Sequence, residues 1–425
     1  MLIKNFDELA LTDLRKDGLN IVQAGLEAVE APSVIKNSVQ IDGEILTVKG
    51  HRFDLSKYEK IYLAGIGKMA CGVGEAMIEI LGKRIDKGMI LGTKGLSFDN
   101  LECVIASHPL PTQVNVDATM RLVQQIQESG DNDLIIMIVT GGGSSMMCYP
   151  NAMSCDQESL ITHKLFEKGA TIQELNVVRK HISKVKGGWL AAHAGNTDML
   201  SLIFSDVPGN DLSLVASGPT VFDASTVDDA AEILARYDVI KACNLPECEL
   251  LETPKDPKIF EKVVNILMID NLTAVEAMAV KAEELGYEVD KIIEPVEGEA
   301  RLAGKQLLER LGKGKRAVVA GGETTVKVVG HGRGGRNQEL VMGSFEHLKP
   351  SQVILSIASD GNDLTGVAGA IGDLGTLERA ALKNILPMDY LNNNDSASFF
   401  EQVGDSIETG KLDSNVSDLM VCLQG

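Results

Sequence analysis

The sequence predicts an α/β protein built around a parallel sheet. Three observations carry this. Short apolar runs recur along the chain and alternate with amphipathic, helix-like stretches. Some of these runs, above all Leu134-Ile135-Ile136-Met137-Ile138-Val139, are apolar at every position, as strands buried on both faces are. Many of them end in loops rich in glycine, hydroxyl groups or acids, and the carboxyl ends of parallel strands are where open α/β sheets bind ligands.

Composition narrows the class. A length of 425 residues allows two or three domains of roughly 150 residues each. A net charge of −20 and an aromatic content of 4% argue against a nucleic-acid surface, which would need basic patches and stacking platforms. Seven cysteines, at 71, 103, 148, 155, 243, 248 and 422, lack zinc-ligand spacing and read as reduced thiols of a cytoplasmic protein. The first residues are charged throughout, without a secretory apolar core, and no apolar run is long enough for a membrane span.

In chain order, Asp7 to Val29 reads as one helix and Ile41 to Val48 as a short strand or hairpin. Ile61 to Ile66 is a strand that runs through Gly65-Ile66-Gly67-Lys68 into a helix, the opening of a βαβ unit. Lys68 is either a cation aimed at an anion or an exposed residue of a tight turn. Strands follow at Met89–Leu91 and Glu102–Ser107, then His108-Pro109-Leu110-Pro111 and a helix over 114–128. The strand at 134–139 ends in Thr140-Gly141-Gly142-Gly143-Ser144-Ser145, whose N–H groups suit a phosphate. From Asn176 to Gly188 a helix would carry Arg179, Lys180, Lys184 and Lys186 opposite an apolar stripe, as a solvated face or as a positive wall for an anion.

Leu200–Phe204 is a further strand, ending in Ser205-Asp206; Asp206 is placed to hold a metal or act as a base. Pro246 to Pro257 reads as a linker, giving domains over 1–242 and 243–425, with the last strand left open to return to the first domain. In the second half, Arg316–Ala320 is a strand ending in Gly321-Gly322-Glu323, with a second strand expected at Val326–Val329. The glycine-rich Gly332-Arg333-Gly334-Gly335-Arg336 opens a helix near Asn337, an arrangement that suits an anion. Val353–Ser359 ends in Asp360, and Leu419–Leu423 is the final strand. Lys68, Arg333 and Arg336 as cations, Asp206 and Asp360 as acids and the Gly141–Ser145 loop as a nest are the parts that phosphoryl transfer needs.

These stretches, in this order, resemble the class II glycerate kinases, whose C-terminal half is the MOFRL domain. The match also rests on Val178-Arg179-Lys180-His181, Lys186-Gly187-Gly188, Val207-Pro208-Gly209, Ala216-Ser217-Gly218-Pro219-Thr220 and Asn394-Asp395-Ser396, so it spans nearly the whole chain. The resemblance implies a larger Rossmann-like N-terminal domain, a smaller α/β C-terminal domain and a site between them. It implies transfer of the γ-phosphoryl group of ATP, with Mg2+, to the 2-hydroxyl of D-glycerate.

Lys68, Arg333, Arg336 and Asp206 are the catalytic candidates. Gly65, Gly67, Gly141, Gly142, Gly143, Ser144, Ser145, Arg179, Lys186, Gly321, Gly322, Glu323 and Asn337 are the binding candidates, and Asp206 and Asp360 the metal ligands. Departures from the family pattern fall at 362–369, at 409–419 and at Ser145, so a kinase of another small sugar acid is one alternative; a hydroxypyruvate reductase-type dehydrogenase is the other. No nucleic-acid or membrane partner is expected, and a homodimer is left open.

Overall fold

The computed structural model describes residues 1–245 and 248–425. The chain forms two compact units. One comprises Val34–Ser205 and Asn210–Met268, the other Met1–Ser33, Asp206–Gly209 and Ile269–Gly425. The division falls after Met268 and not at 242/243, and the first 33 residues go with the C-terminal half. Of the linker read at 246–257, Pro246 lies outside the described residues.

The first unit is built on a seven-stranded sheet. Its strands are β1 (Ile61–Ile66), β2 (Lys87–Gly92), β3 (Leu96–Phe98), β4 (Leu101–Ile105), β5 (Leu134–Thr140), β6 (Asp198–Phe204) and β7 (Val263–Ile269), in the order β7-β6-β5-β1-β2-β4-β3. The pairings from β6 across to β4 are parallel, and β3 turns back antiparallel on β4. β1 and β5 lie in the middle with every residue buried, so their sequences are continuous apolar runs without alternation. The chain leaves β1 in one direction, to β2 and β4, and then crosses to β5 on the other side. The switch point of the sheet therefore lies between β1 and β5. A small antiparallel sheet over residues 39–54 completes the unit's strands.

The second unit carries a six-stranded mixed sheet: β8 (Glu288–Lys291), β9 (Arg316–Gly322), β10 (Gln352–Ala358), β11 (Gly369–Asp373), β12 (Ser406–Ile407) and β13 (Asp418–Gln424), in the order β8-β9-β13-β10-β11-β12. The last strand stays in this unit: β13 pairs antiparallel with both β9 and β10, aligning Gly322, Asp418 and Ala358 at one end. The helices include α1 (Asp13–Ala28), α2 (Ala70–Leu81), α3 (Gln113–Gln127), α4 (Ile172–His181), α5 (Asn271–Glu284) and α6 (Arg336–Gly343). Among the described residues no helix is long and apolar enough to cross a membrane.

Three expectations are corrected. The helix expected over 7–29 is two, Phe6–Leu9 and α1, because Thr12 adopts an extended conformation and its side chain caps α1 by accepting from the Arg15 N–H. Residues 326–329 form no strand. Val328 and Val329 are 73% and 63% exposed, and the Val329 and Gly330 N–H groups donate to Asn394 Oδ1 in place of a ladder. The basic helix ends at His181, short of Gly188, and Gly187 and Gly188 then take positive φ.

Arg15 ties α1 into the second unit. It is fully buried, donates from Nε to the Leu9 carbonyl at 2.8 Å, and pairs with Asp373 at 3.2 Å and Asp405 at 2.5 Å. Removing one side of such a buried cluster leaves uncompensated charge. Arg15→Met is expected to lower unfolding stability by about 3–5 kcal/mol, read as a shift in the urea midpoint.

Candidate active site

The β1–α2 loop and the loop after β5 interlock at the switch point. The Lys68 N–H donates to the Gly141 carbonyl at 2.9 Å, and the Met69 N–H donates to Thr140 Oγ1 at 3.2 Å. Gly67 permits this approach: its φ is +112°, and a Cβ there would stand 2.2 Å from Thr140 Oγ1 and 2.5 Å from the Thr140 carbonyl. Gly142, at φ +81°, lies under two side chains, since a Cβ there would be 3.1 Å from Lys68 Cγ and 3.3 Å from His108 Nε2. Three separate motifs of the sequence thus meet around one glycine.

The loop after β5 continues into a single helical turn, Gly143–Met146. Among the described residues the N–H groups of Gly142, Gly143 and Ser144 meet no acceptor, whereas those of Ser145, Met146 and Met147 close onto Gly142 and Gly143. The Ser145 hydroxyl turns back to the Gly142 carbonyl, 3.1 Å away. Ser144 Oγ instead meets Ser217 Oγ at 3.0 Å, and Ser217 Oγ donates to Asn176 Oδ1 on α4 at 2.7 Å. Gly65 lies inside β1, where it packs against Ile90 and Ile138.

The basic stretch is not a wall of free cations. Lys180 is buried against Asp223 at 3.1 Å, and Lys186 is buried against Glu158. Lys184 lies over the Tyr149 ring, 5.4 Å from its centroid. Arg179, partly buried on α4, makes no hydrogen bond or ion pair among the described residues. Burial holds its pKa below the ordinary guanidinium value, against the field of Glu158.

In the second unit the expected groups gather at the end of β9, β10 and β13. Arg336 Nε donates to Asp418 Oδ2 at 2.6 Å and Nη2 to Asp418 Oδ1 at 3.1 Å, while Nη1 reaches Glu323 Oε1 at 2.8 Å. Asn337 Nδ2 donates to Asp418 Oδ1 at 2.9 Å and to Asp363 Oδ1 at 3.2 Å. Burial lifts the Asp418 carboxyl to about 6, although Arg336 and Asn337 pull it down. Arg336 is itself raised: burial opposes its charge, but Asp418, Glu323 and Asp363 outweigh burial. Gly321 and Gly322 pack closely against Asn271 and Val296.

The glycine-rich loop before α6 is organised differently from the sequence expectation. Asp363 accepts from the N–H groups of Asn337 and Gln338 at 3.1 and 2.9 Å, so a carboxylate of the chain itself occupies the helix start. The N–H groups of Gly330, His331, Gly332 and Arg333 are taken by residues 393–395. The glycines allow close packing against those residues and Asp363. The two arginines part: Arg333 is exposed and pairs with Glu401 at 3.0 Å, whereas Arg336 turns into the acidic cluster.

The segments that carry Asp206 and Asp360 both meet Ser417. Ser417 Oγ donates to the Asp206 carbonyl at 3.4 Å, and the Ser417 carbonyl accepts from the Ser359 N–H at 3.1 Å. Among the described residues no group of three or more His, Cys, Asp or Glu side chains is placed to hold a metal ion. Asp418 and Asp363 went unread in the sequence. An aspartate opening the apolar run of β13 was the available signal for the first.

Residues 17–248 match a domain of unknown function, DUF4147, and residues 316–418 match the MOFRL family. The D-glycerate 2-kinase of Thermotoga maritima is 32% identical, over 96% of this chain and 98% of that protein. The chain belongs to the glycerate 2-kinase (MOFRL) family. A crystal structure of glycerate kinase from Thermotoga maritima matches with a TM-score of 0.85 at 31% identity, covering 97% of this chain and all of that one. Another member of similar sequence, from Agrobacterium vitis, carries the provisional name hydroxypyruvate reductase and is 34% identical over 85% of this chain and 87% of its own length. The α/β fold of this glycerate 2-kinase family member consists of a mostly parallel sheet and a second, mixed one, and it matches that of the solved relative.

The raised Asp418 carboxyl sets a pH dependence. Between the ordinary value of 3.8 and about 6 the folded chain keeps a proton that the unfolded chain has lost, so stability falls as pH rises through that range. Asp418→Asn removes the term. The difference in unfolding free energy, wild type minus variant, should fall by about 2–3 kcal/mol from pH 4 to pH 7, measured by urea titration. A difference that rises or stays flat contradicts the assignment.

Proposed function

We propose that the protein is an ATP-dependent D-glycerate 2-kinase that transfers the γ-phosphoryl group to the 2-hydroxyl of D-glycerate. The observation that carries this reading is the meeting of Lys68, His108 and the open N–H groups of Gly142–Ser144 at the switch point of a parallel sheet. The switch point is where such sheets bind ligands, and the groups collected there suit phosphate. The kinase names of relatives matching nearly end to end support the same reaction.

In this reading the Gly142–Ser144 nest cradles the nucleotide phosphates. Lys68 neutralises the charge that spreads over the transferring phosphoryl group, since positioning and electrostatics dominate such transfers. In the second unit Arg336 is the candidate cation. Three of its five N–H groups are committed to Asp418 and Glu323, which fix its plane and leave two donors for a phosphoryl oxygen. Arg333, on the surface with Glu401, is given no part in transfer.

Magnesium needs only one or two protein carboxylates beside substrate phosphates, and Asp206 and Asp360 are the pair we assign to it. When bound, the ion would neutralise phosphate charge. Hydroxy acids other than glycerate remain the alternative acceptors.

The geometry disfavours a dehydrogenase. A dinucleotide fingerprint needs its second glycine open to the pyrophosphate. Here the space at Gly67 is filled by Thr140, and the N–H groups of residues 67–69 are bonded to Leu91, Gly141 and Thr140.

Turnover of ATP with magnesium and a panel of hydroxy acids, followed as ADP release, tests the reading; oxidation of NADH with hydroxypyruvate and no ADP release would replace it. Lys68→Met is expected to lose on the order of 3 kcal/mol of transition-state stabilisation, a hundredfold or more in kcat, with the fold intact by circular dichroism. Arg336→Lys should lose kcat about tenfold to a hundredfold, because a point charge cannot replace the fork, while Arg333→Lys stays within about twofold of wild type. Equal defects in both arginine variants would undo the distinction.

A further inference from the structure

The side chain of Arg179 meets no hydrogen-bond or ion-pair partner among the described residues. Among the described residues every other arginine except the exposed Arg52 has a carboxylate or carbonyl partner; Arg179 has none and is partly buried. A desolvated guanidinium without a counter-charge is costly and persists where something outside the chain supplies the charge. The nearby Glu158 supplies only part of it through its field, because both its oxygens are engaged: Oε1 takes the buried Lys186 ammonium, and Oε2 lies 3.5 Å from Cys148 Sγ. Glu158 and Lys186 cancel, which leaves the charge of Arg179 in surplus.

The position of Arg179 joins it to the nest after β5. On α4 it follows Asn176 by three residues, so the two share a face, their Cβ atoms about 5–6 Å apart. Asn176 is the end of the polar row that runs through Ser217 Oγ to Ser144 Oγ. Segments beyond each element are also stitched together: the Asn151 N–H donates to the Ile182 carbonyl at 2.8 Å, and the Lys184 N–H to the Tyr149 carbonyl at 2.9 Å. A cationic fork, a row of hydroxyl and amide groups, and an N–H nest thus succeed one another.

We propose that Arg179 binds the carboxylate of the acceptor, and that Ser144, held from behind by the buried Ser217 and Asn176, meets its hydroxyl groups beside the phosphate nest. This rests on the kinase reading for the identity of the acceptor and adds the group that selects an acid over a neutral polyol. The planar guanidinium matches a carboxylate in two parallel hydrogen bonds, whereas the nest and Lys68 already provide for phosphate. The site therefore takes small 2-hydroxy acids and turns away their amides and alcohols.

The test compares D-glycerate with D-glyceramide, its uncharged amide, on wild type, Arg179→Gln and Arg179→Lys, by calorimetric binding and by steady-state kinetics. Arg179→Gln is expected to raise KM for D-glycerate at least tenfold, with KM for ATP changed less than twofold. Its binding preference for glycerate over glyceramide should shrink by the same factor. Arg179→Lys keeps the charge and serves if the glutamine variant fails to fold; it should also lose preference, by less. An increase in KM for ATP with glycerate binding unchanged, or an unaltered preference in both variants, overturns the proposal. Wild-type protein that binds glycerate through Arg179 but releases no ADP leaves this inference standing and removes the kinase reading. Turnover with an Arg179-independent glycerate KM does the reverse.

Discussion

The close approach of two backbone loops at the sheet's switch point governs the rest of the candidate site. Lys68 donates its N–H to Gly141 only because residue 67 has no side chain and a left-handed φ. That contact turns the N–H groups of the β1–α2 loop inward and satisfies them. The loop after β5 keeps its own N–H groups open and receives the Lys68 and His108 side chains above Gly142. The division of labour follows: one loop brings the Lys68 ammonium, the other a nest.

The second unit solves a different problem. A buried aspartate at the start of an antiparallel strand, Asp418, would be a liability alone, since burial raises its pKa and leaves it at about 6 even beside Arg336 and Asn337. It is held by Arg336 and Asn337 from α6, whose own start is capped by Asp363. The glycines before α6 let Asp363 and residues 393–396 come near enough to do this. They act as packing devices, and the anion that the loop was expected to bind is an aspartate of the chain itself.

Much of the fold was legible. Continuous apolar runs marked the central strands because both faces are covered, and glycine and hydroxyl clusters marked the loops at the switch point. What was not legible arises from long-range pairing. Two arginines three residues apart share one glycine-rich loop in the sequence, yet one meets Glu401 and the other Asp418. Lys180 and Lys186 read as a solvated face or a positive wall for an anion, because their partners, Asp223 and Glu158, are distant in sequence. Val326–Val329 has strand composition but no neighbouring strand to pair with among the described residues, and propensity without a partner gives a loop.

The central claim is that the switch-point loops carry phosphoryl transfer to the 2-hydroxyl of D-glycerate. Its most direct measurement is the phosphorus NMR spectrum of the product formed from ATP, magnesium and D-glycerate labelled with carbon-13 at C2. The account predicts a phosphomonoester signal split by two-bond coupling to the labelled carbon, absent with Lys68→Met. A phosphoester on C3, or undiminished product from the Lys68 variant, would contradict it.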